Sequence, residues 1–238
     1  MSGLILSGDV YIKRDGIDTG YIKLLNAQSF TVSVDEADKK TRKSKGRVNY
    51  GAVLDSYSVP GDHSVSVESD EFDKNTLAMA FLGTTTTTTH AAASTQTANV
   101  TLIEGEWVDF SGGAPVADVS ITGLVEGTDF EVDAQAGLIM AIAGGAGAGA
   151  QNVDFDDVAA SGYTVAGQTV ATLRCEVLLV GENLTSGEKV RFTAGSATLS
   201  PSGDLDLLSD DFNTFTMSGL LEVPTGETSP YSMEIISY

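Results

Sequence analysis

Apolar and polar residues alternate along most of this chain. Phe30, Val32 and Val34 fall on one side of an extended segment, and Val65 and Val67 repeat the pattern. Val119 and Ile121, Phe130 and Val132, and Val153 and Phe155 do the same. Successive side chains of a strand point to opposite faces, so each run predicts a strand with one buried face. Val170–Val180, Lys189–Leu199 and Phe212–Val223 predict longer strands. Gly, Asn, Asp, Ser or Pro separate nearly all of the runs, as turns require. The pattern predicts about ten strands, mostly antiparallel.

One segment has a helical period instead. Asp73 is placed to cap a helix over Lys74–Leu82, with Leu77, Phe81, Ala78 and Leu82 as its apolar stripe and Gly83 as its stop. So short a helix must pack on a sheet to persist. The fold class expected is all-β dominated: an antiparallel β-sandwich or barrel-forming sheet with one short flanking α-helix. Two low-complexity stretches, Thr84–Thr89 and Ala141–Ala150, read as flexible connections. Between them, residues 98–155 read as a strand-rich segment inserted in, or peripheral to, a core made of 1–97 and 156–238.

Charge changes the picture most. Six of the 13 basic residues fall within nine positions: Lys39, Lys40, Arg42, Lys43, Lys45 and Arg47. From Val48 onward there are four Lys or Arg against 27 Asp or Glu, a balance of −23. A net charge of −20 over 238 residues argues against broad affinity for nucleic acid, which relies on neutralising phosphates with Lys and Arg. A cationic hook on an anionic body suits docking between copies of the same chain. The hook lies in a connection from Asp35 to Arg47, between strands expected at Gln28–Val34 and Val48–Tyr57. Its 13 residues exceed what a tight hairpin needs. Its acidic start, Asp35, Glu36 and Asp38, and its basic end make it a charge dipole.

Acidic residues also recur at period two. Asp129, Glu131 and Asp133 form one such set, and Asp154 and Asp156 another. Each set is expected on one strand face, as a solvated surface, an acidic lining or a calcium site. Neither matches an EF-hand loop.

Catalytic signatures are weak. Cys175 excludes an intramolecular disulfide and sits in an alternating segment, as a small buried hydrophobe does. His63 and His90 lie in unlike settings, and one cysteine cannot complete a zinc site. Asp62, His63 and Ser64 are adjacent in an extended segment, so they cannot converge as a triad. Gly145–Ala150 fits the relaxed dinucleotide fingerprint, but Val153–Asp156 comes next as an extended run where a helix is required. Gln168 and Thr169 stand where an acidic residue is needed. No metal, cofactor or enzymatic activity is expected. The sequons at Asn99 and Asn183 read as chance matches, because no secretory signal is expected at the N-terminus. No apolar run reaches the ~18 residues of a membrane span, so no membrane partner is expected.

The order of these features resembles the major tail protein, or tail tube protein, of long-tailed bacteriophages. The resemblance rests on Gly8–Ile12 leading into Asn26–Val32, the charged connection 35–47, Ser64–Ser69, and the segment Phe72–Gly83. It continues through Gly127–Asp133, Gly137–Ile139, Lys189–Phe192, Leu199–Gly203 and Asp210–Phe212. It spans most of the chain by order of elements, without a sharp fingerprint. The resemblance implies a β-sandwich with a flanking helix, whose copies join sheets edge to edge into rings, usually of six. Rings would stack into a tube around the tape measure protein, and the connection 35–47 would reach the adjacent ring. It also implies tail terminator and tail-tip proteins as partners, passing double-stranded DNA without specific binding, residence in the virion tail, and host cytoplasm before assembly. An acidic lumen would keep DNA mobile. The competing class is an adhesive or carbohydrate-binding β-sandwich module, which would show clustered exposed aromatics and a secretion signal. This chain has one tryptophan, Trp107.

Overall fold

A computed structural model describes residues 3–237. The protein is all-β apart from one short helix. Its elements run β1 (Leu6–Arg14), β2 (Ile22–Lys23), β3 (Ala27–Val34), β4 (Asp38–Lys43), β5 (Val53–Val59), β6 (His63–Ser69) and α1 (Lys74–Ala80). Next come β7 (Thr84–His90), β8 (Ala93–Leu102), β9 (Val108–Asp109), β10 (Val116–Ile121), β11 (Phe130–Asp133), β12 (Leu138–Ala141), β13 (Gly149–Asp157) and β14 (Ala160–Ala166). The chain finishes with β15 (Leu173–Asn183), β16 (Lys189–Ser202), β17 (Phe215–Leu221) and β18 (Ser232–Ile236). The strands exceed the ten expected because β2 and β9 have only two residues each and β4 and β7 carry no apolar alternation.

The chain forms two compact units. Unit 1 takes the chain up to Thr85 and again from Val165, and unit 2 is Thr86–Thr164. This division lies outside the 98–155 boundary expected from the low-complexity stretches. The reason is pairing: β8 starts at Ala93 and pairs with β13 out to Asp157, so both strands belong wholly to unit 2.

Unit 1 is built on an eight-stranded antiparallel sheet in the order β2-β1-β15-β16-β17-β6-β3, with β18 also on β16. A bulge makes this fork possible. Cys175 pairs with Ala197 but Val177 pairs with Ala194, so β16 carries an extra residue at Gly195–Ser196. Bulges bend a strand. Before the bend Lys189–Thr193 pairs with β18, and after it Ala197–Ser202 pairs with β17. The unit's core buries Val10, Ile12, Val65, Val67, Val177, Phe192, Leu199 and Met217. Phe30 of β3 meets Phe192 of β16 edge-on at 5.2 Å, so strands far apart in the strand order share one core. Between β1 and β3 a groove of about 540 Å³ remains, lined by Gly8, Val10, Phe30, Val32 and Phe192 among others.

Helix α1 packs on this core through part of the expected stripe: Ala78 is buried and Leu82 packs against the core, while Leu77 is only half-buried. Thr76, Ala78 and Met79 are buried, whereas Phe81 is exposed. Asp73 caps the helix in a full capping box with Thr76. At the other end Leu82, not Gly83, takes the left-handed conformation, with φ of 47°. The Leu82 and Gly83 amides donate to Met79 and Ala78, which closes a Schellman turn. Gly83 is needed for another reason: a Cβ there would overlap the carbonyl oxygen of Ala166.

Unit 2 has two three-stranded antiparallel sheets, β10-β13-β8 and β11-β12-β9. Their core is Leu102, Phe110, Val116, Ile121, Phe130, Ile139, Val153 and Phe155. Phe110 and Phe155 meet edge-on at 5.0 Å.

Neither low-complexity stretch is a slack linker. The threonine run is strand β7, paired with β14. Threonine is β-branched and favours extended backbone, which outweighs the monotony of the run. The Gly/Ala run closes β12, turns, and opens β13. Gly145 and Gly147 lie directly against the backbone of Thr128 and Asp129, where a Cβ would collide.

Candidate functional site

Strands β4 and β5 form a two-stranded arm inserted in the β3–β6 hairpin. At its root Val34 pairs with His63, and the Asp35 amide donates to the Asp62 carbonyl at 2.9 Å. Gly61 sits in the neck, where any Cβ would overlap the Asp35 carbonyl oxygen. The structure therefore corrects the expected 13-residue loop: much of it is strand β4, paired from Asp38↔Val59 to Lys43↔Val53. The strand expected at Val48–Tyr57 begins instead at Val53. Pattern alone misses β4 because charged and polar residues occupy both of its faces and leave no apolar period to detect.

Every residue of β4 and β5 is exposed. A lone two-stranded hairpin is marginally stable in water, so this one needs internal devices or a partner. Its tip is well tied. Ser44 is buried, donates its hydroxyl to Asn49 Oδ1 at 2.7 Å, and accepts the Gly46 amide at 3.0 Å. The Ser44 amide donates to Ala52 O at 2.7 Å, and the Gly51 amide to Ser44 O at 2.8 Å. These bonds hold Lys45, Arg47, Val48 and Tyr50 in a fixed turn.

The structure brings all six basic candidates together on this arm: Lys39, Lys40, Arg42 and Lys43 on β4, with Lys45 and Arg47 at the tip. Lys40 pairs with Asp38 at 2.7 Å, and Arg42 Nε with Asp55 at 2.9 Å, both on the arm itself. Among the described residues, Lys39, Lys43, Lys45 and Arg47 have no carboxylate partner. The contrast with the body is sharp. Lys13, Arg14, Lys23, Arg174 and Lys189 are each paired, with Glu176, Asp18, Asp9, Glu222 and Glu182 respectively. Unpaired cations are thus concentrated on the arm. Beside them stand exposed apolar groups that the charge pattern hides: Val48 at 99%, Tyr50 at 77% and Tyr57 at 69% exposure.

The acidic candidates do not form one surface. Asp129 lies before β11, not on its outer face with Glu131 and Asp133. Its carboxylate accepts the amides of Ala146 and Val125 at 2.8 and 2.9 Å. Those two hydrogen bonds hold it below the usual carboxylate range. Asp129 is a clamp on the Gly/Ala turn. Glu131 and Asp133 are exposed, and Asp133 accepts the Gln135 and Ala136 amides, both at 3.1 Å. Asp154 and Asp156 belong to the other sheet. Asp154 accepts the Thr97 hydroxyl and Asp156 the Thr95 amide, each at 2.6 Å. Among the described residues, no three carboxylate, imidazole or thiol groups gather closely enough to hold a metal ion.

Other chemical groups are structural. Cys175 is buried in β15, and burial, with the nearby Glu176 charge adding to it, pushes its thiol up to about 12. Gly145–Ala150 leads into β13 rather than a helix, and its glycines approach the protein's own backbone, not a pyrophosphate. Asn183 is buried, its Oδ1 accepts the Ile5 and Thr185 amides at 3.2 Å each, and its Nδ2, the atom that would carry a sugar, donates to the Gly3 carbonyl at 3.3 Å.

One feature is absent from the sequence reading. The pattern places Phe212 at the start of a strand, but β17 begins at Phe215 and Phe212 is 98% exposed. It lies on the β16–β17 loop with Leu207 and Leu208, at 75% and 93% exposure. The available signal is four large apolar residues, Leu205, Leu207, Leu208 and Phe212, set among four Asp within 204–212, at no regular period. No curated protein matches the chain. Residues 4–230 match the family described as "Protein of unknown function UCP028589", and the chain belongs to that family.

Proposed function

We propose that this chain is a virion structural protein whose copies form rings that stack into a bacteriophage tail tube, a conduit for genome delivery into the bacterial host. The observation that carries this reading is the β4–β5 arm. Its two strands are fully exposed, its tip is tied, and it holds four unpaired cations on a chain of net charge −20. A polypeptide that neutralises most of its body's cations but leaves most of its arm's unpaired keeps that arm for a partner with the opposite charge. The chain itself is the most acidic partner within reach.

Open sheet edges support ring closure. Among the described residues, strand β3 pairs only with β6, β18 only with β16, and β2 only with β1. Open edges invite pairing with another chain. Head-to-tail pairing closes into a ring when the rotation allows, and stacked rings repeat into a filament. In this reading the tape measure protein fills the lumen, and terminator and tail-tip proteins end the tube. DNA passes an acidic wall without being held.

Electron microscopy of the concentrated protein, alone and on a tail-tip nucleus, tests the proposal. Rings or hollow tubes are expected. Monodisperse monomers under every condition would favour the adhesive or carbohydrate-binding alternative instead.

A further inference from the structure

We propose that the receptor for the β4–β5 arm is the β16–β17 loop, Gly203–Thr214, of a second copy of this chain. The inference rests on the ring-and-tube reading only for its setting, and its test separates the two.

The loop has the complementary chemistry. It carries Asp204, Asp206, Asp210 and Asp211 and no basic residue. None of these aspartates forms an ion pair among the described residues. Leu207, Leu208 and Phe212 project from it, largely exposed. The arm presents the mirror combination: unpaired Lys39, Lys43, Lys45 and Arg47 beside exposed Val48, Tyr50 and Tyr57. Exposed apolar clusters rimmed by charge mark protein contact sites.

Several other acidic positions serve less well. Asp9, Asp18, Glu176, Glu182 and Glu222 are already paired with cations. Asp129 is engaged by two backbone amides, and Asp154 and Asp156 sit beside Thr97 and Thr95 rather than apolar groups. The loop, by contrast, is ordered from within. Asp206 accepts the Leu208 amide at 3.0 Å, Asn213 donates to the Asp206 carbonyl at 2.7 Å, and Ser209 Oγ accepts the Asp211 amide at 3.0 Å. That leaves Leu207, Leu208 and Phe212 outside, while Leu205 is half-buried.

Placement in the sheet makes the contact intermolecular. The arm leaves β6 at His63, which pairs with Val34. The loop enters β17 at Phe215, which pairs with Ser69 at the other end of β6. The roots are thus separated by the length of β6, roughly 20 Å at 3.3–3.4 Å per residue. Arm and receptor emerge from opposite ends of one sheet. Such a contact is heterologous: it leaves a free arm at one end of a pair and a free loop at the other, so it propagates.

Reciprocal charge swaps test this on the full chain. One variant carries Lys39→Glu, Lys43→Glu, Lys45→Glu and Arg47→Glu; the other carries Asp204→Lys, Asp210→Lys and Asp211→Lys. All these positions are exposed, so both variants should keep the wild-type melting curve. Zero-length carbodiimide cross-linking of equal ¹⁴N and ¹⁵N chains is read by mass spectrometry. Mixed-isotope cross-links from 39–47 to 204–211 are expected for the wild type. They should fall at least about tenfold, equivalent to 1.4 kcal/mol, in either variant alone and return when the two are mixed. Cross-links that join only chains of the same isotope, or swaps that leave assembly unchanged, would overturn the arm–loop contact. Tubes that form with the arm cross-linked elsewhere would remove this receptor and leave the tube reading standing. Arm–loop pairs without rings or tubes would do the reverse.

Discussion

Two ribbons of two strands each are rooted on unit 1: β4–β5 in the β3–β6 hairpin, and β7–β14 directly after α1. Both begin where one backbone passes so close to another that only glycine fits, Gly61 and Gly83 respectively. Beyond those roots they diverge. β7–β14 straddles the boundary between the units, with Thr86–His90 and Ala160–Thr164 in unit 2, so the chain is continued by folded structure at both of its ends. Its side chains satisfy one another, as Thr88 and Thr164 do through their hydroxyls at 2.8 Å. The arm ends in a turn, is anchored once, leaves four cations unpaired, and exposes Val48, Tyr50, Val53, Leu54, Tyr57 and Val59. A ribbon with two anchors needs nothing else, whereas a ribbon with one anchor and sticky chemistry is built for an external partner.

The largest effect should come from removing the arm. Replacing 38–59 by a short Asn-Gly turn is expected to leave thermal unfolding within about 0.5 kcal/mol of wild type, because no residue of β4 or β5 is buried. Assembly into rings or tubes should stop altogether. Changing only Lys39, Lys40, Arg42, Lys43, Lys45 and Arg47 to Ser should block tube growth in the same way. Calorimetry and electron microscopy read the two halves of this prediction separately. A large drop in stability would mean that the arm belongs to the fold and would erase its contrast with β7–β14.

The two ribbons are unequally legible in the sequence. Alternation locates β6, β13, β15, β16 and the greater part of β3, because each has one apolar face. It cannot find β4, whose six residues contain no hydrophobe, nor β7, whose threonines lack contrast between faces. Charge clustering finds the arm's cations without finding its conformation. The acidic candidates fail for the converse reason. Period-two spacing groups Asp129 with Glu131 and Asp133, yet Asp129 is drawn off the strand by amides from Val125 and Ala146. Long-range backbone bonds of that kind leave no local trace. Leu207, Leu208 and Phe212 stay hidden because exposure of an apolar residue is a property of the fold, not of its neighbours in sequence.

Ion pairs sharpen the difference between arm and body. Arg14 and Asp18 form a nearly buried pair, with side chains 8% and 10% exposed and Nε 2.8 Å from the carboxylate. Burial alone would raise the Asp18 pKa, but hydrogen bonds from the Arg14 side chain and backbone outweigh it and lower the value. A lowered folded pKa stabilises above the unfolded value of about 3.9 and is lost as pH falls through the folded one. Asp18→Asn should therefore cost about 1.5–3 kcal/mol at pH 7, with the gap to wild type closing below about pH 4. Asp55→Asn removes the equivalent partner of Arg42 on the arm, where both side chains are mostly exposed. It should cost about 0–1 kcal/mol. Denaturant titrations at pH 7 and pH 3 compare the two variants. Equal losses would place the arm's pairs on the same footing as the body's.

The two glycine roots come next. Gly83 is buried between α1 and the backbone at Ala166, so Gly83→Ala must move one of them and should cost about 1–3 kcal/mol. Gly61 is only half-buried, and its neighbour Asp35 leads straight into the arm. Gly61→Ala can relax by tilting the arm, so its stability loss should be the smaller of the two while its tube yield falls further. Melting temperatures and tube counts on the same preparations decide. The reverse order would mean that the arm's neck is more rigidly held than the root of β7–β14.

Thr88→Val should have the smallest effect. It removes the hydroxyl bond to Thr164, a neutral side-chain bond worth about 0.5–1.5 kcal/mol. The new side chain keeps the branched Cβ and gains a methyl group with strand preference of its own. Both hydroxyls are exposed, so Thr164 turns to water instead of being stranded. The balance should lie within about 0.5 kcal/mol of zero, with assembly unchanged. Hydrogen exchange at the β7 and β14 amides gives the more sensitive readout, because local opening of the ribbon exposes those amides before the core melts. Protection that survives in Thr88→Val would show that two anchors and a strand-forming backbone hold this ribbon, and that its threonines need not cross-link it. Protection that collapses would make the hydroxyl ladder the ribbon's true support, and the difference from the arm would then lie in side-chain pairing rather than in how many ends are tied.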